Sequence, residues 1–153
     1  MSNKDWKGTA ELVGIAAIVA SLIFVGLQLR QTEVIARATL YQMRSDAGRE
    51  LVGITLENKE LVGTIFQIEG SLDPSELLQL RWWALAAFTH YENSHHLYQL
   101  GLLSDEQWTS DRRQLGDLVR SPNLRALWDA DKDTYRESYA VEMELIIAEY
   151  IGN

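Results

Sequence analysis

The chain has 153 residues and is 46% hydrophobic, enough for one folded domain and too apolar for a disordered polymer. Its 14 Lys and Arg against 22 Asp and Glu give a net charge of −8, which repels phosphate backbones, so no nucleic acid is expected as a partner. It has no cysteine, which excludes disulfides, thiolate nucleophiles and Cys-ligated zinc or iron–sulfur centres.

Only two prolines, Pro74 and Pro122, and few dense turn clusters leave too little punctuation for an all-β fold. The expected class is all-α, with a single amino-terminal transmembrane helix continuing into a small helical-bundle domain. The expected organisation is a membrane anchor over residues 1–30 and a helical domain over 31–153 with about five further helices. Charge divides along similar lines. Residues 1–49 hold six Lys/Arg and four Asp/Glu, and the remainder eight and eighteen.

The first element is the run Leu12 to Leu27, LVGIAAIVASLIFVGL, which has no charge and only Ser21 as a polar side chain. Its sixteen residues would reach roughly 24 Å, short of a hydrocarbon core of about 30 Å. Including Thr9 to Glu11 and Gln28 to Leu29 brings the length to about 31 Å, with Glu11, Gln28 and Arg30 able to reach the interfaces. The alternative is the buried helix of a soluble bundle. This run is apolar all round, whereas a helix of a small soluble bundle keeps a polar face. Trp6 lies where an interfacial anchor belongs, with Lys4 and Lys7 beside it. A retained span is therefore expected rather than a cleaved signal peptide, since no small-x-small cleavage pattern follows Phe24.

The expected partner of this segment is the lipid bilayer, as a single pass in a bacterial inner membrane. Flanking charge is nearly balanced, with Lys4 and Lys7 on one side and Arg30, Arg37 and Arg44 on the other. The arginines continue along an emerging helix within reach of anionic headgroups, so the helical domain is expected to be cytoplasmic. Within the span Ala10, Gly14, Ala17 and Ser21 recur at spacings of 4, 3 and 4 and form one stripe of small side chains. Such a stripe allows close backbone approach, so it is expected to pack against another membrane protein or another copy of this chain. Abundance of Ala and Gly in membrane helices is the plainer explanation.

Beyond the span, Ala36, Leu40, Met43, Ala47, Leu51 and Ile54 keep helical spacing, and the helix is expected to run on with this stripe docked on later elements. Glu57, Asn58 and Lys59 mark a break. Leu61, Val62, Ile65, Phe66 and Ile68 predict a short amphipathic helix ending at Gly70. Ser71 to Glu76 marks a new start, with Asp73 as cap and Pro74 as first helical residue. The third helix, to Leu100, carries a stripe of Leu77, Leu80, Ala84, Ala87, Tyr91 and Tyr98. Trp82, Trp83, Leu85 and Phe88 widen it beyond half the circumference, so this helix is expected at the centre. Gly101 fits a left-handed cap, and Ser104 with Gln107 fits a capping box for a fourth helix. Ser121 and Pro122 end it. Leu124, Leu127 and Trp128 predict a short fifth helix, and Tyr135, Tyr139, Met143, Ile146 and Tyr150 a last one.

The segments SLIFVGLQLRQ, FTHYENSHHLYQLGLLSDEQW and SPNLRALW, with the spaced aromatics that follow, resemble a group of uncharacterised bacterial proteins with one amino-terminal span and a helical domain. The resemblance covers most of the chain. It implies a membrane anchor and a helical fold, and it supplies no catalytic residues.

The chemistry-bearing candidates are few. Glu92 and His95 form one Glu-x-x-His, the spacing of diiron bundles, which use it twice and add further glutamates. His96 is the i+4 partner of Glu92, an ordinary surface pair, and Glu142 and Glu149 could complete a mononuclear site only if they face it. No metal or other cofactor is therefore expected, and Glu92, His95 and His96 remain the sole metal candidates. Asp129, Asp131 and Asp133 alternate as in a calcium loop, but its glycine and closing glutamate positions hold Thr134 and Ala140. No nucleophile elbow, phosphate loop or dinucleotide fingerprint occurs. No catalytic residues are assigned, and the expectation is a non-enzymatic accessory or structural subunit of a membrane complex, or a homo-oligomer. The alternative is a membrane-anchored sensor or small enzyme that binds a ligand or metal near Glu92, His95 and His96.

Overall fold

A computed structural model of the chain describes residues 3–66 and 72–152, and among them the structure is all-α, with six α-helices and no strand. The predicted end of the second helix at Ile68 and Gly70 lies outside the described residues, as do Ser71 and the side chains of Lys4, Lys7 and Phe66. The chain divides into two compact units, Met1–Gln42 and Met43–Asn153. Helix α1 covers Asn3–Glu57 and so contributes to both.

The first unit is helix alone. Its large apolar side chains are solvent-exposed, from Leu12 at 70% through Ile18, Leu22 and Phe24 to Leu29. Three polar contacts along it are local. Ser21 Oγ donates to the Ala17 carbonyl at 2.8 Å and Thr32 Oγ1 to the Gln28 carbonyl at 2.9 Å, while Arg37 pairs with Glu33 one turn away. This is the one described helix long and apolar enough to cross a membrane, by length and composition.

In the second unit the last turns of α1 are followed by α2 (Lys59–Phe66), α3 (Pro74–Gln99), α4 (Asp105–Val119), α5 (Pro122–Asp131), a 3₁₀ turn (Lys132–Thr134) and α6 (Glu137–Ile151). The starts follow from capping chemistry. Asp73 accepts the backbone N–H groups of Ser75 and Glu76, and Glu76 accepts the N–H of Asp73, closing a capping box in front of Pro74. The Ser75 hydroxyl, then those two amides, hold the Asp73 carboxyl below the usual carboxylate range. Ser104 and Gln107 form the second box. Gly101 ends α3 at φ +70, a left-handed turn in which Leu102 N–H donates to the Leu97 carbonyl.

Helix α3 packs against α2, α4, α5 and α6, which places it at the centre of this unit. Its inward stripe is Leu80, Ala84, Ala87, Phe88, Tyr91, Ser94 and His95, meeting Leu115, Val119, Leu124, Trp128, Tyr139, Met143 and Ile146 from α4, α5 and α6. Phe88, Trp128 and Tyr135 meet edge-on or tilted at centroid separations of 5.2–6.3 Å. Where α4 crosses α6, Gly116 admits the Tyr150 ring, since a Cβ there would lie 2.3 Å from it.

Three expectations are corrected. The apolar surface of α3 is wider than the face it buries: Leu77, Leu85 and Trp82, the last 65% exposed, stand outside the core. Tyr135 precedes α6, because the 3₁₀ turn interposes and Arg136 holds the N-cap position. Of the predicted stripe on α1 only Leu40 and Leu51 are half-buried, as are Arg44, Gly48 and Thr55, whereas Ala36, Met43, Ala47 and Ile54 are exposed. The reason is polar contact: Arg44 reaches α4 and Thr55 reaches Trp83.

Candidate functional site

The predicted candidates separate into two kinds. Ala10, Gly14, Ala17 and Ser21 are all exposed on α1, as are Trp6, Gln28 and Arg30. Of the metal candidates, His96 is half-buried, while Glu92 and His95 are engaged otherwise. Glu92 accepts the backbone N–H of Arg136 at 2.8 Å and pairs with its guanidinium at 3.5 Å, so it stabilises the entry to α6. His95 is buried, its ring 5.1 Å from Trp108 and 5.9 Å from Tyr139. Burial lowers the His95 pKa, against the pull of Glu142 and with the help of His96. Glu142 and Glu149 both accept from Arg112, Asp131 pairs with Arg81, and Asp129 with Lys132. Among the described residues no group of three or more His, Asp or Glu side chains could hold a metal ion. The Tyr139 hydroxyl is buried without a hydrogen-bond partner among the described residues, and burial raises its pKa well above the ordinary value.

A different constellation forms where α1, α3 and α4 meet. Arg44 Nη2 donates to both carboxylate oxygens of Asp111 at 2.6 Å, and Arg44 Nε donates to Ser94 Oγ at 3.0 Å. The Arg44 side chain is 17% exposed, that of Asp111 6%, and Ser94 is fully buried. Burial pushes the Asp111 carboxyl up while Arg44, Ser94 and His90 pull it down. His90 is held below its usual value, first by burial, with Asp111 opposing and Arg44 assisting.

Beside this network lies an open apolar cavity of about 280 Å³. Leu51 and Leu56 of α1, Ile65 of α2, Trp83 of α3 and Leu118 of α4 form its walls, with His90, Tyr91 and Gln114 as its polar members. Tyr91 donates to Gln114 Oε1 at 3.1 Å, and burial pushes its phenol up to about 12, so it stays a donor. At the other side Trp83 Nε1 donates to Thr55 Oγ1 at 2.9 Å.

The sequence reading centres a ligand pocket on Glu92, His95 and His96 of the same helix and names neither Arg44 nor Asp111 as part of it. The site's one advance signal is Arg44 itself, a charge one turn from Leu40 and two from Leu51, both of which the apolar stripe places inward. No family model matches the chain, and neither a curated protein nor a solved structure matches it.

Removing Asp111 would strand a buried guanidinium, so Asp111→Ala is expected to cost about 3–5 kcal/mol, whereas Arg44→Met with Asp111→Leu together should recover most of it. Denaturant unfolding of the full chain in detergent checks this. A cost for Asp111→Ala below about 1 kcal/mol would mean that solvent already screens the pair.

Proposed function

We propose that this chain is a non-enzymatic, single-pass membrane protein of a bacterial inner membrane, with α1 as anchor and the second unit as a cytoplasmic helical domain. The observation that carries the reading is burial: none of the most apolar 18-residue window of α1 is buried. The core helix of a soluble protein would be covered by its own chain. Exposing side chains such as Leu12, Ile18, Leu22 and Phe24 to water costs about 1.5–3 kcal/mol each, and lipid removes that cost. The internal hydrogen bond of Ser21 suits the same setting, since the hydrocarbon offers no other partner.

Orientation rests on the arginines past the apolar run, with Arg30 and Arg37 exposed, Arg37 paired to Glu33 on the same helix and Arg44 turned to Asp111. The role that follows is an accessory subunit of a membrane complex, or a homo-oligomer, associating through Ala10, Gly14, Ala17 and Ser21. Lipid solvates large apolar side chains as well as protein does, so association gains from close approach, which small residues allow. The acidic side chains with chemical potential are engaged in ion pairs and caps, which favours a scaffold over a catalyst.

Two measurements test this reading. The protein should sediment with membranes and resist alkaline extraction; recovery in the soluble fraction without detergent would overturn the placement. Gly14→Leu keeps the helix apolar but should abolish self-association or co-purification after mild-detergent extraction, while Ile18→Leu, off the stripe, should leave it intact. Equal association by the two variants would remove the stripe from the account.

A further inference from the structure

The cavity has a direction. Helices α1 and α3 run antiparallel beside it, because Gly48 faces the His90 ring and, seven residues on, Thr55 bonds Trp83, seven residues back. Seven residues of helix span about 10 Å, which sets the length of the slot. At the Thr55 end the polar groups satisfy each other. The His90 end differs: among the described residues the imidazole makes no hydrogen bond, its ring lying edge-on to Tyr91 at 5.2 Å and within 3.9 Å of where a Gly48 Cβ would sit. Gln114 has its amide oxygen on the Tyr91 hydroxyl and its amide N–H groups left to donate.

We propose that this slot is a binding site for a small neutral amphiphile, an apolar chain or ring system with one hydroxyl or carbonyl directed at His90 and Gln114. Its walls take the apolar body, and its volume suits a small ligand rather than a large cofactor. Neutrality follows from the charges at hand. No net positive charge is left for an anion, since Asp111 balances Arg44 by accepting from Nη2 with both carboxylate oxygens. The Asp111 carboxylate beside His90 repels a second carboxylate, and the Arg44 guanidinium repels an ammonium. A neutral imidazole both donates and accepts, so it serves a hydroxyl or a carbonyl equally.

The site lies wholly within the second unit and does not depend on where the apolar run of α1 resides, so its failure and that of the membrane reading are separable. The test uses the full chain in lipid nanodiscs and an octanol bearing a photoreactive diazirine, with adducts mapped by peptide mass spectrometry. Adducts are expected on the segments holding Leu51, Trp83 and His90, and excess octanol should reduce them by about tenfold while excess octanoate leaves them unchanged. Gly48→Leu, whose side chain would grow into the His90 end without a backbone clash, should remove the same adducts and leave any on the apolar run of α1. Adducts confined to that run would overturn the site. Protection by octanoate equal to that by octanol would overturn the requirement for a neutral ligand. Persistence of the adducts in Gly48→Leu, with the helical content unchanged, would place the ligand elsewhere.

Discussion

A guanidinium held against a carboxylate out of water is the constraint on which the second unit is arranged. Arg44 is long enough to cross from α1 to α4, and with Asp111 and Ser94 it ties three helices together at one point. Such a pair contributes little net stability compared with an apolar substitute, but it fixes register, because a shift of one residue would leave both charges buried and unpaired. That register sets Gly48 opposite His90 and Thr55 opposite Trp83. The slot between α1 and the bundle is the space these two contacts leave between them.

The remaining charges do structural work of a more ordinary kind. Arg112 on α4 gathers Glu142 and Glu149 from α6, and Glu92 on α3 holds the residue that precedes α6. Each of these carboxylates could in principle have been a ligand or a base. Here each is engaged in an ion pair or a cap, while the histidines divide by environment: His95 is filled in among Trp108 and Tyr139, whereas His90 borders the cavity with its hydrogen-bonding capacity unspent.

What could be read from the chain alone was local. The caps at Asp73 and Ser104, the left-handed Gly101 and the break at Asn58 are decided by neighbours within four residues, and their side-chain chemistry is visible in the sequence. Partners far apart in the chain were another matter. Met43, Ala47 and Ile54 keep helical spacing yet face outward, because hydrophobic periodicity gives no weight to Arg44, whose partner lies 67 residues away. Trp82 and Leu85 stand outside the core although they widen the apolar surface, because a helix with apolar residues on most sides does not reveal which of them its neighbours will cover. The cavity was illegible for the same reason, since it belongs to four helices and to no motif.

The central claim is that the exposed apolar run of α1 sits in lipid, and the absence of native cysteine gives a direct way to test it. Single cysteines at Ile18 in the run and at Leu145, exposed on α6, can be treated with N-ethylmaleimide in intact membranes and again after detergent. The reagent crosses bilayers but reacts with thiolate, which forms in water and not in hydrocarbon, so orientation does not enter. The account predicts rapid labelling at Leu145→Cys and none at Ile18→Cys until the membrane is dissolved or the protein denatured. Equal labelling of the two in intact membranes would contradict it.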